Sequence, residues 1–164
     1  MVDLKRWGLM NKVFIISLLL MVVFAWMDFE QVTTIRNIEA QDDVQKWDAY
    51  WANQQPATVQ MWAMVLIGIG VMWYLFTKDK SEALALILSP LILLYSGVQD
   101  LVYFLFEGSM PTTLAWADVI PSVRIISDIL GEAVPSKTAF LLSAGLGIVL
   151  SYFVYIKLKR IRKW

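Results

Sequence analysis

The sequence predicts an all-α integral membrane protein, built as a four-transmembrane-helix bundle with amphipathic surface helices in its two outer loops. Three observations carry this prediction. The chain is 59% hydrophobic with a mean hydropathy of +0.60, above the roughly 45–50% apolar usage of soluble domains. Four apolar segments are long enough to cross a hydrocarbon core of about 30 Å. Basic residues are distributed unevenly between the two ends of these segments.

The four predicted spans lie near residues 12–27, 59–77, 82–106 and 138–156, which leaves outer loops at 28–58 and 107–137. A chain of 164 residues has no room for a second folded unit beside four spans, so we expect residues 1–164 to form a single membrane domain. Pro90 lies inside the third segment, and we expect a kink there. Ser89 or a neighbouring helix would then satisfy the backbone carbonyl that the proline frees.

The basic residues predict the orientation of the bundle. Ten Lys and Arg lie at the end that carries both termini and the turn near Lys78, whereas four lie at the opposite end. An excess of basic residues marks the cytoplasmic side of a membrane protein. We therefore expect a multi-pass protein of the cell membrane with both termini in the cytoplasm and an acidic outer face.

Each outer loop contains a helical pattern. In the second loop, Pro121 suits a first turn and Gly131 suits an end, and apolar residues recur at helical spacing at Trp116, Val119, Ile120, Val123, Ile126 and Leu130. In the first loop, Val44, Trp47 and Trp51 share one face of a shorter helix, which Pro56 separates from the next span. We expect both helices to lie on the membrane surface or over the bundle. The expected headgroup-level aromatic residues are Trp47, Tyr50, Trp51 and Trp62.

The composition excludes several classes of chemistry. The chain contains no cysteine and no histidine, and disulfides, Cys/His zinc sites, iron–sulfur clusters and Ser-His or Cys-His nucleophiles each require one of these residues. The sequence shows no motif for a metal or a cofactor, and we expect neither. A formal net charge of zero gives no indication of a nucleic-acid partner.

Small residues predict where helices pack closely. Ser143, Gly147 and Ser151 form a small-xxx-small stripe in the fourth span, and such stripes let helix backbones approach each other in lipid. Gly68 and Gly70 form a shorter patch of the same kind in the second span. The partner of the stripe would be another span of this chain, a second copy or another subunit.

Acidic residues at the outer end form the candidate ligand site. Ser89, Ser96, Asp100, Tyr103 and Glu107 fall on one stripe of a helical third span, and Asp28 and Glu30 leave the first span at the same level. A carboxylate in the hydrocarbon region is costly unless it is paired or hydrated, so Asp100 should point into the bundle or into a water-filled recess. The predicted ligand-binding residues are Asp28, Glu30, Ser96, Asp100, Tyr103 and Glu107.

Two interpretations of these carboxylates remain open at this point. In a structural role, Asp100 accepts hydrogen bonds from a tyrosine or a serine or pairs with Arg36 or Arg124, while Arg124 also has Asp128 four residues on. In a binding role, the carboxylates and the surrounding aromatic residues receive a cationic or amphipathic ligand or a lipid. We expect a non-enzymatic membrane protein of this second kind, surrounded by membrane lipids. One alternative is an accessory or structural subunit of a larger membrane complex, and the chain could also assemble with further copies of itself. The other alternative is a membrane-embedded lipid-modifying enzyme that uses carboxylates, with no catalytic residue assigned.

Overall fold

The computed structural model describes residues 4–39, 44–110, 112 and 114–161, and this part of the chain is helical without a β-strand. The all-α prediction is confirmed. The helices follow in the order α1 (Leu4–Glu39), α2 (Val44–Thr77), α3 (Lys80–Tyr95), α4 (Val98–Glu107), a 3₁₀ helix (Ala115–Val119), α5 (Pro121–Leu130) and α6 (Lys137–Ile161).

Three helices contain segments that are long and apolar enough to cross a membrane: Lys12–Val32 in α1, Ala57–Thr77 in α2 and Lys137–Leu158 in α6. A fourth candidate consists of α3 and α4 taken together, although the two helices are bent by 59° relative to each other. Three to four candidate apolar spans are therefore present, and they are compatible with the membrane helical bundle that the composition predicts. Large aliphatic side chains stay exposed along these segments, as they do on helix faces that contact lipid.

The long helices run up and down, and their cores define two ends of the bundle. At the open end, near the Lys78–Asp79 turn, the N-terminal part of α1 meets the C-terminal part of α6 in a buried cluster of Val13, Ala85, Leu86 and Tyr155. At the capped end, α4, the 3₁₀ helix and α5 enclose a cluster of Phe104, Leu114, Ala117, Ile120, Val123 and Phe140. Helix α3 is central, because it packs against α1, α2 and α6.

The separate short surface helix that the sequence predicts in the first outer loop is wrong. Helix α1 continues to Glu39 and α2 begins at Val44, so residues 28–39 and 44–58 are helical, and the predicted short surface helix is the first part of α2. Pro56 lies within α2 instead of ending a separate helix. Residues 28–39 and 44–55 contain neither glycine nor proline, so neither segment holds a residue that disfavours the interior of a helix. The side chains of Trp47, Tyr50 and Trp51 lie outside the described residues.

The third predicted span is interrupted, but not at Pro90. Helix α3 continues through Pro90, and the bend falls at Ser96 and Gly97, where Gly97 has a φ of +80°. This left-handed conformation suits glycine and stops a right-handed helix. The Phe140 ring also closes over this position, since a Cβ built on Gly97 would lie 2.9 Å from a ring carbon. Ser89 donates its hydroxyl to Ser151 O, 3.1 Å away, and not to the carbonyl one turn before Pro90.

Serine side chains stabilise the break between α3 and α4. The last carbonyls of a helix have no partner within the helix, and an unpaired carbonyl at membrane depth is costly. Ser122 Oγ donates to Tyr95 O at 2.8 Å, and Ser143 Oγ donates to Ser96 O at 3.0 Å. The two hydroxyl oxygens lie 2.7 Å apart. Helices α5 and α6 therefore supply hydrogen bonds that the interrupted helix lacks.

Helix α5 confirms the predicted helix in the second loop but not all of its apolar face. It starts at Pro121 and ends before Gly131, which has a φ of +73°. Ile120 and Val123 are buried as expected, whereas Val119 and Leu130 are exposed. The expected periodicity fails because residues 115–119 form a 3₁₀ helix and Ile120 is extended, so the α-helical repeat begins only at residue 121. The side chain of Trp116 lies outside the described residues.

Candidate functional site

A buried carboxylate connects three helices near the capped end. Asp28 lies inside the candidate span of α1 and is 6% exposed. Its Oδ2 accepts a hydrogen bond from the Gln99 amide of α4, and its Oδ1 accepts a long hydrogen bond of 3.4 Å from Trp62 Nε1 of α2. A buried carboxylate is costly unless hydrogen-bonded, and these two neutral donors provide that stabilisation. We call Asp28, Trp62 and Gln99 the carboxylate clamp.

The indole of Trp62 is fixed from two directions. Its ring stacks on Phe24, with ring centroids 4.1 Å apart and planes 14° from parallel, while its N–H reaches Asp28. A buried indole needs an acceptor for its N–H group. Trp62 is buried in the central core instead of being exposed like a residue of an aromatic belt, and its headgroup-level depth stays a prediction. Packing against Phe24 and the hydrogen bond to Asp28 therefore hold the Trp62 side chain in one orientation.

The break at Gly97 brings the second carboxylate to the same place. Gln99 and Asp100 lie in the first turn of α4, directly after the bend. Asp100 is half-buried and close enough to Asp28 for the two charges to interact. The N-terminus of a helix carries a partial positive charge that favours nearby carboxylates. The two acidic side chains thus come from different helices, α1 and α4, and their charges interact near the start of α4.

No cation is seen to neutralise this pair among the described side chains. Arg124 pairs instead with Asp118 at 2.6 Å and with Asp128 at 3.1 Å, so the predicted Arg124–Asp128 pair is confirmed. The side chain of Arg36, the other predicted partner, lies outside the described residues. Within the described part of the chain, no group of three or more acidic side chains could hold a metal ion.

The six predicted ligand-binding residues do not form one cluster. Glu30 is exposed and stands about 200° around the helix from Asp28. Ser96 faces α6, where its backbone carbonyl accepts from Ser143. Glu107 is half-buried at the far end of α4. The straight stripe that predicted this cluster is divided by the break, so Asp28 and Asp100 are the two that the fold brings together.

Tyr103 belongs to an aromatic group beside the clamp. Its ring meets Phe29 edge to face at 5.9 Å between centroids, and Phe106 meets Trp26 in the same way at 5.4 Å. Trp26 and Phe106 are also partly exposed on the surface of the bundle. The aromatic group of Trp26, Phe29, Tyr103 and Phe106 therefore lines the α1–α4 contact and reaches the exposed surface of the bundle.

The small-residue stripe of α6 faces α3 of the same chain. Ser151 and Ser89 exchange hydrogen bonds, each hydroxyl donating to the other residue's carbonyl at 3.1 Å. A Cβ built on Gly147 would overlap with the Ser96 side chain. In α2, Gly70 is likewise in close contact with Ile87, whereas Gly68 has open space around it. The stripe therefore serves packing between α3 and α6.

A second tryptophan–carboxylate contact lies at the open end. Trp73 Nε1 donates to Glu82 Oε2 at 3.2 Å, joining α2 to α3. Trp62 and Trp73 are eleven residues apart, which is three turns and roughly 17 Å along one helix face. Gln99, Trp73 and Glu82 are not among the site residues that the sequence predicts. Gln99 could have been noticed as a second polar residue beside Asp100 in an apolar segment, but its partner is 71 positions away.

Comparison with protein-family models, curated proteins and solved structures gives no significant match for this chain.

Proposed function

We propose that this is a membrane protein that binds the cationic group of an amphipathic ligand between Asp28 and Asp100. The observation that carries the proposal is the meeting of these two carboxylates, from α1 and α4, with only neutral donors at Asp28 among the described side chains. Two negative charges close together in a low-dielectric site repel each other. A bound cation would relieve this repulsion, and a ligand with an apolar tail could reach it from the lipid phase.

The aromatic group supports an amphipathic ligand over a free ion. Aromatic faces attract cations, the more so when both are desolvated. Trp26 and Phe106 are partly exposed where lipid would surround the bundle, and Phe29 and Tyr103 lie further inward. A hydrocarbon tail could rest against the outer rings while the charged head meets the carboxylates. The stripe Ser143–Gly147–Ser151 is occupied by α3, so it does not support the alternative of an accessory subunit docking there.

Thermal unfolding in mild detergent tests the binding proposal. We expect dodecyltrimethylammonium and dodecylamine to raise the unfolding midpoint of the parent protein more than the uncharged 1-dodecanol does. A ligand at about 100 times its Kd stabilises the folded state by about 2.7 kcal/mol. In Asp100→Asn this charge-dependent stabilisation should disappear while the unliganded protein stays folded, because Asp100 is only half-buried.

Glu30→Gln is the matched control for this experiment. Glu30 is an exposed carboxylate two residues after Asp28 on α1, so the substitution removes the same charge from the same end of the bundle. The control variant should be stabilised by dodecyltrimethylammonium and dodecylamine as much as the parent is. Equal loss of the response in Glu30→Gln and Asp100→Asn would show general attraction to an acidic surface, and an unchanged response in Asp100→Asn would exclude the proposed site.

We also propose the orientation with both termini in the cytoplasm, supported by the ten-to-four distribution of basic residues. Reporter fusions after Trp164 and after Ser81 should be active in the cytoplasm. Fusions near Asp43 and after Ser127 should be active outside it, because the two predicted outer loops, 28–58 and 107–137, contain these positions. Cytoplasmic activity of the Ser127 fusion would contradict the orientation, and the carboxylate site would then open to the inner leaflet.

A further inference from the structure

Helix α5 lies beside the membrane-spanning part of α6. Ser122, near the start of α5, has its hydroxyl oxygen 2.7 Å from that of Ser143. Ser143 is six residues inside the candidate span Lys137–Leu158, which is about 9 Å along the helix axis. Just past the other end of α5, the Glu132 carboxylate accepts from Ser136 N at 3.1 Å and from Ser136 Oγ at 2.6 Å, directly before α6. Helix α5 therefore runs antiparallel to the first turns of α6, from span depth towards the end of the span.

Helix α5 has a buried inner side and an exposed aliphatic edge. Val123 and Ser127 are buried on the inner side. Ile125 and Ile129, four residues apart, are 60% and 77% exposed. Within two residues of Ser143, α6 exposes Leu141 and Leu142 as well.

A polar stripe adjoins the isoleucine edge of α5. Along this stripe Arg124 pairs with Asp118 and Asp128. Hydrogen bonding to Asp118 and the charges of both carboxylates hold the pKa of Arg124 above its ordinary value, so Arg124 stays protonated.

We infer that α5 is embedded in the membrane interface, with its Ile125–Ile129 edge in contact with lipid acyl chains and its Arg124 stripe among the headgroups. A helix of ten residues is too short to cross a bilayer, but an amphipathic helix can lie at the headgroup–acyl boundary. Lipid is the occupant that fits this edge, because α5 lies alongside the first turns of a candidate span whose own aliphatic side chains are exposed at the depth of Ser143. This inference is independent of the proposed ligand site.

Single-cysteine spin labelling tests the inference directly, since the chain contains no cysteine of its own. Ile125→Cys and Ile129→Cys would be labelled with a nitroxide and reconstituted in phosphatidylcholine–phosphatidylglycerol vesicles. We expect collisions with oxygen to exceed those with a water-soluble nickel chelate several-fold at both positions. Ile125 should be the deeper of the two, because it lies nearer to the Ser122–Ser143 contact.

Matched positions give the reference values for lipid and water. Asp128→Cys, beside Ile129 but on the polar stripe, should collide mainly with nickel. Leu146→Cys on the exposed flank of α6 and Lys80→Cys at the open end serve as lipid and water references. Each variant is at an exposed position, and its elution volume and circular dichroism should match those of the parent.

Two results would overturn the inference. Nickel collisions at Ile125 and Ile129 as frequent as at Lys80 would show that the edge of α5 lies in water. Immobile labels protected from both oxygen and nickel would show that protein covers the edge, either a second copy of this chain or another subunit. When single labels are placed in turn over residues 124–130, we expect the collision rates with oxygen and with nickel to vary with a period of about 3.6 residues. The oxygen rate should be highest where the nickel rate is lowest.

Discussion

Gly147→Ala is expected to destabilise the protein by roughly 3 kcal/mol, at the upper end of the range for overpacked interiors. The added methyl group would overlap with Ser96 Cβ and Oγ, and neither atom can retreat easily. Ser96 ends α3 directly before the break, its Oγ donates to Leu93 O at 3.0 Å, and its carbonyl accepts from Ser143. The methyl group would therefore have to push α3 and α6 apart. Thermal or denaturant unfolding in detergent measures the effect.

Two further variants make the Gly147 experiment specific. Gly145→Ala changes a glycine two residues away on the same helix, where a Cβ meets open space. It should leave stability unchanged or raise it, since alanine favours helix over glycine by about 1 kcal/mol. Ser96→Gly in the Gly147→Ala background removes the overlapping side chain and should recover part of the loss. Equal stability of Gly147→Ala and Gly145→Ala would show that α3 and α6 are not in close contact.

Gln99→Leu is expected to destabilise the protein by roughly 1.5–3 kcal/mol, the usual value for a hydrogen bond to a charged group. Leucine has a similar volume but cannot donate to Asp28, so the buried carboxylate would keep only the long hydrogen bond from Trp62. Exposed Gln31, three residues after Asp28 on α1, provides the control. Gln31→Leu should change the free energy of unfolding by less than about 0.5 kcal/mol.

A double-mutant cycle separates the carboxylate clamp from general packing at Gln99. Replacing both partners of a buried polar pair by apolar groups of similar shape is often nearly neutral. The double variant Asp28→Leu/Gln99→Leu should therefore be more stable than Gln99→Leu alone. If Gln99→Leu costs the same in the presence and absence of Asp28, the contribution of Gln99 does not depend on the carboxylate, and the clamp contributes no net stability.

The break in the third span links the packing of the bundle to its candidate site. Because α4 turns away at Gly97, Gln99 and Asp100 face α1 instead of continuing along the α3–α6 contact. The same break leaves the Tyr95 and Ser96 carbonyls to Ser122 and Ser143. The cap, the bend and the carboxylate pair are thus parts of one arrangement. A substitution that straightened this segment would be expected to disturb all three.

The sequence by itself determined the all-α structure and three unbroken segments that are long and apolar enough to cross a membrane, because these depend on local properties. Hydropathy summed over about 20 residues selects a helix that can cross lipid, and the ends of α5 follow from Pro121 and Gly131 alone. The close packing along Ser143, Gly147 and Ser151 was indicated for the same reason, since small side chains permit approach whatever the partner is. The sequence also selected Asp28 and Asp100, as carboxylates that an apolar segment cannot leave unattended.

Only the tertiary structure decided which groups meet. The bend falls at Gly97 and not at Pro90 because Phe140 closes over a left-handed glycine. In addition, a serine of α5 and a serine of α6 donate hydrogen bonds to the carbonyls of Tyr95 and Ser96. The partners of Asp28 are 34 and 71 residues away, beyond the reach of any local pattern. A stripe drawn on a straight helix therefore placed Ser96 and Glu107 beside Asp100, whereas the folded chain places Gln99 and Trp62 around Asp28. The physical reason is that helix periodicity determines only which side chains share a face of one helix. Breaks in the helix and contacts between distant residues determine which other side chains that face meets.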